Sequence, residues 1–290
     1  MSAYALLIEP FAGYEFMRRA LVACLALAMG CGPVGIILLL RRMSLMGDAL
    51  SHAVLPGAAV GFLFAGLSLT AMGLGGFIAG LAVALLAGLV KRLTPLREDA
   101  AFAAFYLTSL ALGVLIVSLR GSNIDLLNVL FGSVLAVDDQ ALLLVGTLTS
   151  VTLVTLALIY RPLVTECFDP LYLRAVGVGG GLYHGIFLVL VVLNLVASFQ
   201  ALGTLMAVGL MMVPAAAARF WAREVWSLAL ISSAIGLLSG LIGLLASYHL
   251  ALPSGPAIIL TASVIYLLSV VWGPQGGILS RTLGLWFRTA

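Results

Sequence analysis

The chain has 290 residues, of which 63% are hydrophobic and only 9% are charged, with a formal net charge of +3. Soluble proteins carry roughly 25% charged residues, so this composition excludes a soluble globular domain. We expect an all-α, polytopic bundle of transmembrane helices that forms a single domain over residues 1–290. A lipid membrane is then its first partner, and the small positive charge gives no reason to expect a nucleic acid.

Nine apolar runs are long enough to cross a bilayer, which takes about 20 residues per helix. A tenth segment, 121–137, is too short and too polar at its start, so we interpret it as a re-entrant or interfacial helix. The count of spans is therefore about eight or nine. The nine runs are Arg19–Leu40, Leu45–Gly66, Ala71–Val90, Ala100–Leu119, Ala141–Tyr160, Leu182–Ser198, Ala201–Ala218, Val225–Ser247 and Ala257–Trp272.

The basic residues predict the orientation, because cytoplasmic loops are enriched in lysine and arginine. Nine crossings with an external N-terminus leave only Arg18, Arg19 and Arg120 of the 14 basic residues outside. The others then lie in the cytoplasm: Arg41, Arg42, Lys91, Arg92, Arg97, Arg161, Arg174, Arg219, Arg223, Arg281 and Arg288.

Asp48 and His52 are the main clue to function. They lie four residues apart in an apolar span, and this spacing places both side chains on one helix face. Ionisable groups at membrane depth are costly unless they face a cavity, a partner or an ion. A carboxylate and an imidazole suit Mn²⁺, Fe²⁺ or Zn²⁺, so we predict a metal-binding pair. The alternatives are a helix cap for Asp48 and a packed interhelical histidine for His52.

Pro56 strengthens this interpretation. Its ring removes a helix hydrogen bond and frees the carbonyl four residues earlier, which belongs to His52. Irregular backbone at membrane depth is tolerated where it lines a cavity or is buried in protein. A kink that only improves packing remains the alternative. Ser44 and Ser51 are expected to satisfy backbone groups rather than to bind an ion.

The longest polar connection on the cytoplasmic side is Arg161–Gly181. Asp169 and Pro170 within it are typical of a helix start, with an acceptor at the cap and proline at the first position. A short helix there could dock into a soluble partner or lie on the lipid. Glu166 and Asp169 could contact such a partner or cap a helix. His184 and His249 are expected at opposite membrane surfaces.

No nucleotide site is present in the sequence. The only lysine, Lys91, follows a valine, so the Gly-Lys pair of a Walker A motif cannot occur. Any work driven by ATP must therefore be done by another chain. An intramembrane metalloprotease is also disfavoured, because histidines at 52, 184 and 249 cannot form an H-E-x-x-H motif.

Several segments together resemble the ABC-3 family, the integral-membrane permeases of ABC importers for manganese, zinc and chelated iron. The resemblance covers nearly the whole chain. It is carried by the segments RRMSLMGDALSHAVLPGAAVGFLFAG from Arg41, GSNIDLLNVLFGSVL, ECFDPLYLRAVG, ALGTLMAVGLMMVPAAAARFW and SYHLALPSGPAIIL.

This resemblance implies a permease of the bacterial inner membrane, and not an enzyme. A second permease copy, two cytoplasmic ABC ATPase subunits and an extracytoplasmic metal-binding protein would be its partners. Asp48 and His52 would hold Mn²⁺ or Zn²⁺ in transit. No cofactor would be bound permanently, and ATP would be bound by the partner subunit.

The resemblance also implies that the connection near 161–181 holds the segment pressed against the ATPase. We call Phe168–Arg174 the coupling segment, and the residues expected to make this contact are Phe168, Asp169, Leu171 and Arg174. The histidine at position 249 differs from the family pattern, so the resemblance implies no role for His249 outside the membrane. The alternative function is a secondary cation transporter or channel that works alone, although only one acidic residue lies clearly inside a span.

Overall fold

The computed structural model of the chain describes residues 4, 7–66, 68–96, 98–119, 137–175 and 180–280. The elements in this part of the chain are helices, as the composition predicts. They are α1 (Glu9–Gly13), α2 (Glu15–Leu40), α3 (Ser44–Ala65), α4 (Leu69–Leu93), α5 (Glu98–Leu119), α6 (Asp139–Phe168), α7 (Pro170–Ala175), α8 (Gly180–Leu202), α9 (Thr204–Ala218), α10 (Val225–Leu250) and α11 (Ser254–Trp272).

Each predicted span corresponds to one of these helices. Within the described ranges, seven helices are long and apolar enough to cross a membrane, and α5 and α9 contain shorter apolar stretches. The prediction of an all-α polytopic bundle is therefore confirmed, and seven spans plus two shorter apolar helices are consistent with the predicted eight or nine. The predicted re-entrant helix at 121–137 falls almost entirely outside the described residues.

Helices α2 and α8 form the centre of the bundle. In their most apolar windows, 67% of α2 and 72% of α8 is buried inside the protein, against 28% of α6. Helix α6 runs parallel to α2, because Arg19 pairs with Asp139 where both begin and Arg41 pairs with Glu166 where both end. This is the relation expected for the first and fifth of nine alternating crossings.

The turn between α2 and α3 is short and tightly fixed. Arg42 adopts a left-handed φ of 59°, and the amides of Arg42 and Met43 donate to the carbonyls of Leu39 and Leu38. This pattern is a Schellman motif, which normally uses glycine at the left-handed position. The first helical residue of α3, Ser44, follows directly.

Several helix ends differ from the sequence prediction, and two of them change the connections between helices. Helix α6 continues past Tyr160 to Phe168 with Pro162 inside it, so the first part of the connection Arg161–Gly181 is helical. Helix α8 continues past Ser198 to Leu202, and only Gly203 separates it from α9. The φ of Gly203, 88°, lies in the region that glycine enters without a steric penalty, so glycine suits this one-residue connection.

Candidate metal-binding pair and coupling segment

Asp48 and His52 lie on the accessible face of α3, one helical turn apart. Their side chains are 61% and 37% exposed, and 3.7 Å separates His52 Nε2 from Asp48 Oδ1. At about 1.5 Å of rise per residue, they lie roughly 6 Å and 12 Å from the start of α3. Both therefore lie in the cytoplasmic half of this 22-residue helix in the predicted orientation.

Neighbouring side chains support the pair without covering it. The ring of His52 stacks on Tyr106 of α5, with 6.2 Å between ring centroids. Ser51 is buried and donates to the carbonyl oxygen of Asp48 at 2.7 Å. This is the backbone-satisfying role predicted for Ser51.

Helix α3 stays helical across Pro56, so the proline bends or weakens the helix without ending it. Next to it, Ser109 of α5 donates to the carbonyl oxygen of Ala53 at 3.3 Å. Gly113 of α5 approaches so closely that an added Cβ would lie 2.8 Å from Pro56 Cγ. Helix α5 thus covers the proline region from one side.

The opposite side of α3 is fixed by direct backbone contact with α4. A Cβ at Gly57 would overlap the carbonyl oxygen of Gly75, and a Cβ at Gly61 would overlap that of Ala71. Small residues permit this close approach between membrane helices. Because the rear of α3 is held in this way, the face that bears Asp48 and His52 is turned away from the α4 contact.

This geometry suits one bridging cation. A separation of 3.7 Å exceeds hydrogen-bond length, so neither side chain satisfies the other. Metal bonds to imidazole nitrogen and carboxylate oxygen are about 2.0–2.2 Å long, so both atoms can reach one ion. Across the described ranges no group of three or more His, Cys, Asp or Glu residues is arranged so that it could hold a metal ion, and a bound ion would take further ligands from elsewhere.

The coupling segment forms the helix that the sequence predicts. Asp169 accepts a hydrogen bond from the amide of Tyr172 at 2.9 Å, and α7 starts at Pro170. Phe168 and Leu171 are 66% and 73% exposed, whereas Leu173 is buried. Helix α7, which includes Arg174, is therefore anchored through Leu173 and presents large apolar side chains outwards.

Sequence reasoning did not identify a cluster around Arg41. Its side chain is only 9% exposed and pairs with Glu166 Oε2 at 2.8 Å. Arg41 also donates to Nδ1 of His184 and lies over the ring of Phe187, with Cζ 5.0 Å from the centroid. The partners are 125 and 143 residues away, so no local spacing could reveal the cluster. The only hint of this cluster in the sequence is Glu166, a glutamate close to the end of an apolar helix.

Asp138 and the histidines at 184 and 249 lie near helix ends. Asp138 caps α6 by accepting from the amide of Ala141 at 2.8 Å. His249 lies near the end of α10, in edge contact with the ring of Tyr248. His184 lies at the start of α8, on the same side of the bundle as the end of α2.

The chain is similar to known membrane proteins over almost its full length. The model of the ABC 3 transport family matches residues 13–273. The manganese import system permease protein ScaB of Streptococcus parasanguinis is 35% identical over 92% of this chain and 94% of its own length. The manganese transport system membrane protein MntC of Halalkalibacterium halodurans is 32% identical over 97% and 95%. The solved structure of PsaBC from Streptococcus pneumoniae in complex with Fab matches with a TM-score of 0.83 and 31% identity, over 95% of this chain and 98% of that one.

Proposed function

Since the chain belongs to the ABC 3 transport family, we propose that its cargo is a divalent transition metal, with Mn²⁺ first. The chain is the membrane permease of an ABC importer, a multi-pass protein of the bacterial inner membrane and not an enzyme. An importer of this class works with ATPase and binding-protein partners. Two of the relatives described above, ScaB and MntC, are named for manganese, and a carboxylate with an imidazole suits Mn²⁺, Zn²⁺ and Fe²⁺.

The Asp48–His52 pair is the observation that carries this proposal. Its two ligand atoms are close enough to share one ion, and neither is consumed by a hydrogen bond to the other. Two ligands make a weak site, since a stable zinc site uses four. Weak binding suits transport, because the ion must leave again. The pair would hold the ion during passage from the extracytoplasmic binding protein to the cytoplasm.

A second copy of the permease would complete this site. Between Leu45 and Ala59, the accessible residues of α3 follow a spacing of three and four and define a single stripe: Leu45, Asp48, His52, Leu55 and Ala59. A carboxylate is poorly placed against lipid, so the stripe is better matched to another protein surface. Two copies about a two-fold axis would bring two Asp–His pairs together.

The coupling segment would bind the ATPase. Phe168 and Leu171 are the anchors, because large exposed apolar side chains on a cytoplasmic helix are typical of docking residues. Asp169 would maintain the helix start, and Arg174 would add a positive charge at its end. One coupling segment per permease copy predicts two ATPase subunits in the complex.

Uptake by the reconstituted complex tests the proposed cargo. Permease, ATPase and binding protein are placed in liposomes, and Mn²⁺ uptake is measured with ATP, without ATP, and with Zn²⁺ or Fe²⁺ in competition. We expect uptake that requires ATP and the ATPase. Uptake of Mn²⁺ by the permease alone would instead support a stand-alone transporter or channel, and absence of uptake of any of the three ions would exclude the proposed cargo class.

Copurification tests the ATPase contact. The double variant Phe168→Asp, Leu171→Asp should lose the ATPase while the permease still inserts and folds. Leu93→Asp, Leu96→Asp is the matched control, since Leu93 and Leu96 are 74% and 46% exposed after the predicted third span on the same side. Stoichiometric copurification of the ATPase with the Phe168, Leu171 variant would show that the coupling residues are misassigned.

A further inference from the structure

Arg41 connects three parts of the protein at the cytoplasmic end of the bundle. It belongs to the turn between α2 and α3, its carboxylate partner Glu166 lies in α6, and His184 and Phe187 lie in α8. Arginine has no acceptor atom, so Nδ1 of His184 must accept the hydrogen bond. One guanidinium thus holds the ends of three helices through an ion pair, a hydrogen bond and a cation–π contact.

The pair is buried, which distinguishes it from ordinary surface ion pairs. The side chains of Arg41 and Glu166 are 9% and 14% exposed. Surface pairs contribute little because water screens them. A buried pair resists separation strongly, because removal of one partner leaves an uncompensated charge away from water. The Arg41–Glu166 ion pair therefore holds the end of α6 firmly to the α2–α3 turn, and we call this ion pair the link.

On the α6 side, this link reaches the coupling segment in very few residues. Glu166 lies two residues before Phe168, where α6 ends, and Asp169 alone separates α6 from α7. The amide of Asp169 donates to the carbonyl of Thr165 at 2.8 Å, and its side chain caps α7. A displacement of α7 by the ATPase is thus passed directly to the end of α6.

On the other side, the link reaches the metal-binding pair. The Schellman turn at Arg42 and Met43 leaves little freedom between Arg41 and the start of α3 at Ser44. Asp48 follows about one turn later along the same helix. A movement of Arg41 is therefore transmitted to the helix that bears Asp48 and His52.

We propose that Arg41 and Glu166 are positioning residues that transmit the state of the ATPase from α7 to the metal-bearing helix α3. The inference rests on the proposed function, ATP-driven metal import. When the link is intact, each hydrolysis cycle moves α3 and exposes the metal pair to one side. When it is lost, the ATPase still binds and hydrolyses ATP, but α3 no longer follows it.

The diagnostic quantity is the number of metal ions imported per ATP hydrolysed. It is measured in proteoliposomes that contain the permease, its ATPase and the binding protein, with Mn²⁺ as the transported probe. For Glu166→Gln and Arg41→Gln we expect this ratio to fall by about tenfold or more, because each change breaks a buried charge pair. Hydrolysis per assembled complex should stay within about twofold of wild type.

The chain offers a matched control at the opposite ends of the same two helices. Arg19 and Asp139 join α2 to α6 there at 3.2 Å, but their side chains are 33% and 73% exposed. Asp139→Asn neutralises the equivalent carboxylate in water. It should leave the ratio of ions to ATP unchanged, since a screened pair holds the helices only weakly.

The double variant Arg41→Gln, Glu166→Gln separates coupling from folding. Each single variant leaves a buried unpaired charge and can fail to assemble, whereas the double variant leaves none. We expect it to assemble and still to import few ions per ATP. A wild-type ratio in the double variant would overturn the inference, and so would parallel losses of uptake and hydrolysis. Failure of the wild-type complex to import metal would refute the proposed function instead.

Discussion

Two pairs of polar side chains on the membrane helices have opposite environments. Asn194 of α8 and Thr152 of α6 are 1% and 0% exposed, and Asn194 Nδ2 donates at 2.8 Å to Thr152 Oγ1 and to the carbonyl of Leu190. Asp48 and His52 are accessible, and their closest polar atoms are 3.7 Å apart. The first pair is satisfied inside the protein and holds two helices together. The second leaves its ligand atoms free to bind something else.

This contrast separates structural polar groups from functional ones. A buried polar group costs free energy unless it is hydrogen-bonded, and the Asn194–Thr152 pair meets that requirement within one chain. The Asp48–His52 pair does not, so its retention on an apolar helix calls for a ligand or a second subunit. Variants of the two pairs should therefore affect different measurements: uptake for one and stability for the other.

Asp48→Ala should have the largest effect. It removes the carboxylate that each copy contributes to the proposed site, so we expect Mn²⁺ uptake to fall at least about 100-fold, beyond the 10–100-fold typical of losing an outer-shell partner. Insertion, thermal stability and ATPase binding should be unchanged, since Asp48 is largely exposed. Asp139→Ala, which removes another exposed carboxylate, serves as control. Wild-type uptake by Asp48→Ala in a folded complex would exclude this residue as a ligand.

His52→Gln should have a smaller effect on the same measurement. Glutamine keeps a polar side chain with an oxygen that can bind a hard cation, so we expect uptake to fall by about tenfold. The affinity of the purified permease for Mn²⁺, measured by calorimetry, should fall with it. An unchanged affinity would leave His52 as a residue that packs on Tyr106 and nothing more.

Asn194→Ala should shift stability and leave transport per folded complex intact. The change removes two hydrogen bonds and leaves Thr152 without its partner, which costs about 1–3 kcal/mol. The midpoint of thermal unfolding in detergent should fall accordingly, while uptake normalised to assembled complex stays near wild type. Should uptake vanish with stability preserved, the division between the two pairs is wrong.

The sequence predicts what depends on local pattern. Apolar run length predicts the spanning helices, and Asp169 with Pro170 predicts the start of α7. The orientation inferred from the basic residues stays a prediction. The predicted fifth span ends at Tyr160, where the sequence becomes polar, whereas the backbone of α6 stays helical to Phe168. Polarity marks the membrane boundary there, and it does not end a helix.

Contacts between distant segments lie beyond such patterns. Glu166 looked equally suited to bind an ATPase or to cap a helix, and only the packing of α2 against α6 assigns it to Arg41. The close contact of α3 with α4 at Gly57 and Gly75 is equally hard to predict. Many glycines in the chain have similar spacings, and the sequence does not distinguish the ones that lie in a helix crossing. Asp48 and His52 were predicted because their spacing on one helix is itself the site, and their role in binding stays a prediction.

Thr152→Val gives the smallest expected effect and the finest test of the contrast. Valine has nearly the shape of threonine, so the change leaves no cavity and removes only one acceptor of the Asn194 side chain. The carbonyl of Leu190 still accepts from Asn194 Nδ2, so the amide is not left wholly unsatisfied. Interhelical hydrogen bonds in membranes contribute about 0.6 kcal/mol on average, and we expect a loss of that order in the free energy of unfolding.

Unfolding in a denaturing detergent can measure this loss for Thr152→Val against wild type and against Asn194→Ala. A combined variant that loses no more than Asn194→Ala alone would show that the two residues act through one shared bond. A loss equal to the sum of both would mean that Thr152 contributes to packing independently of Asn194.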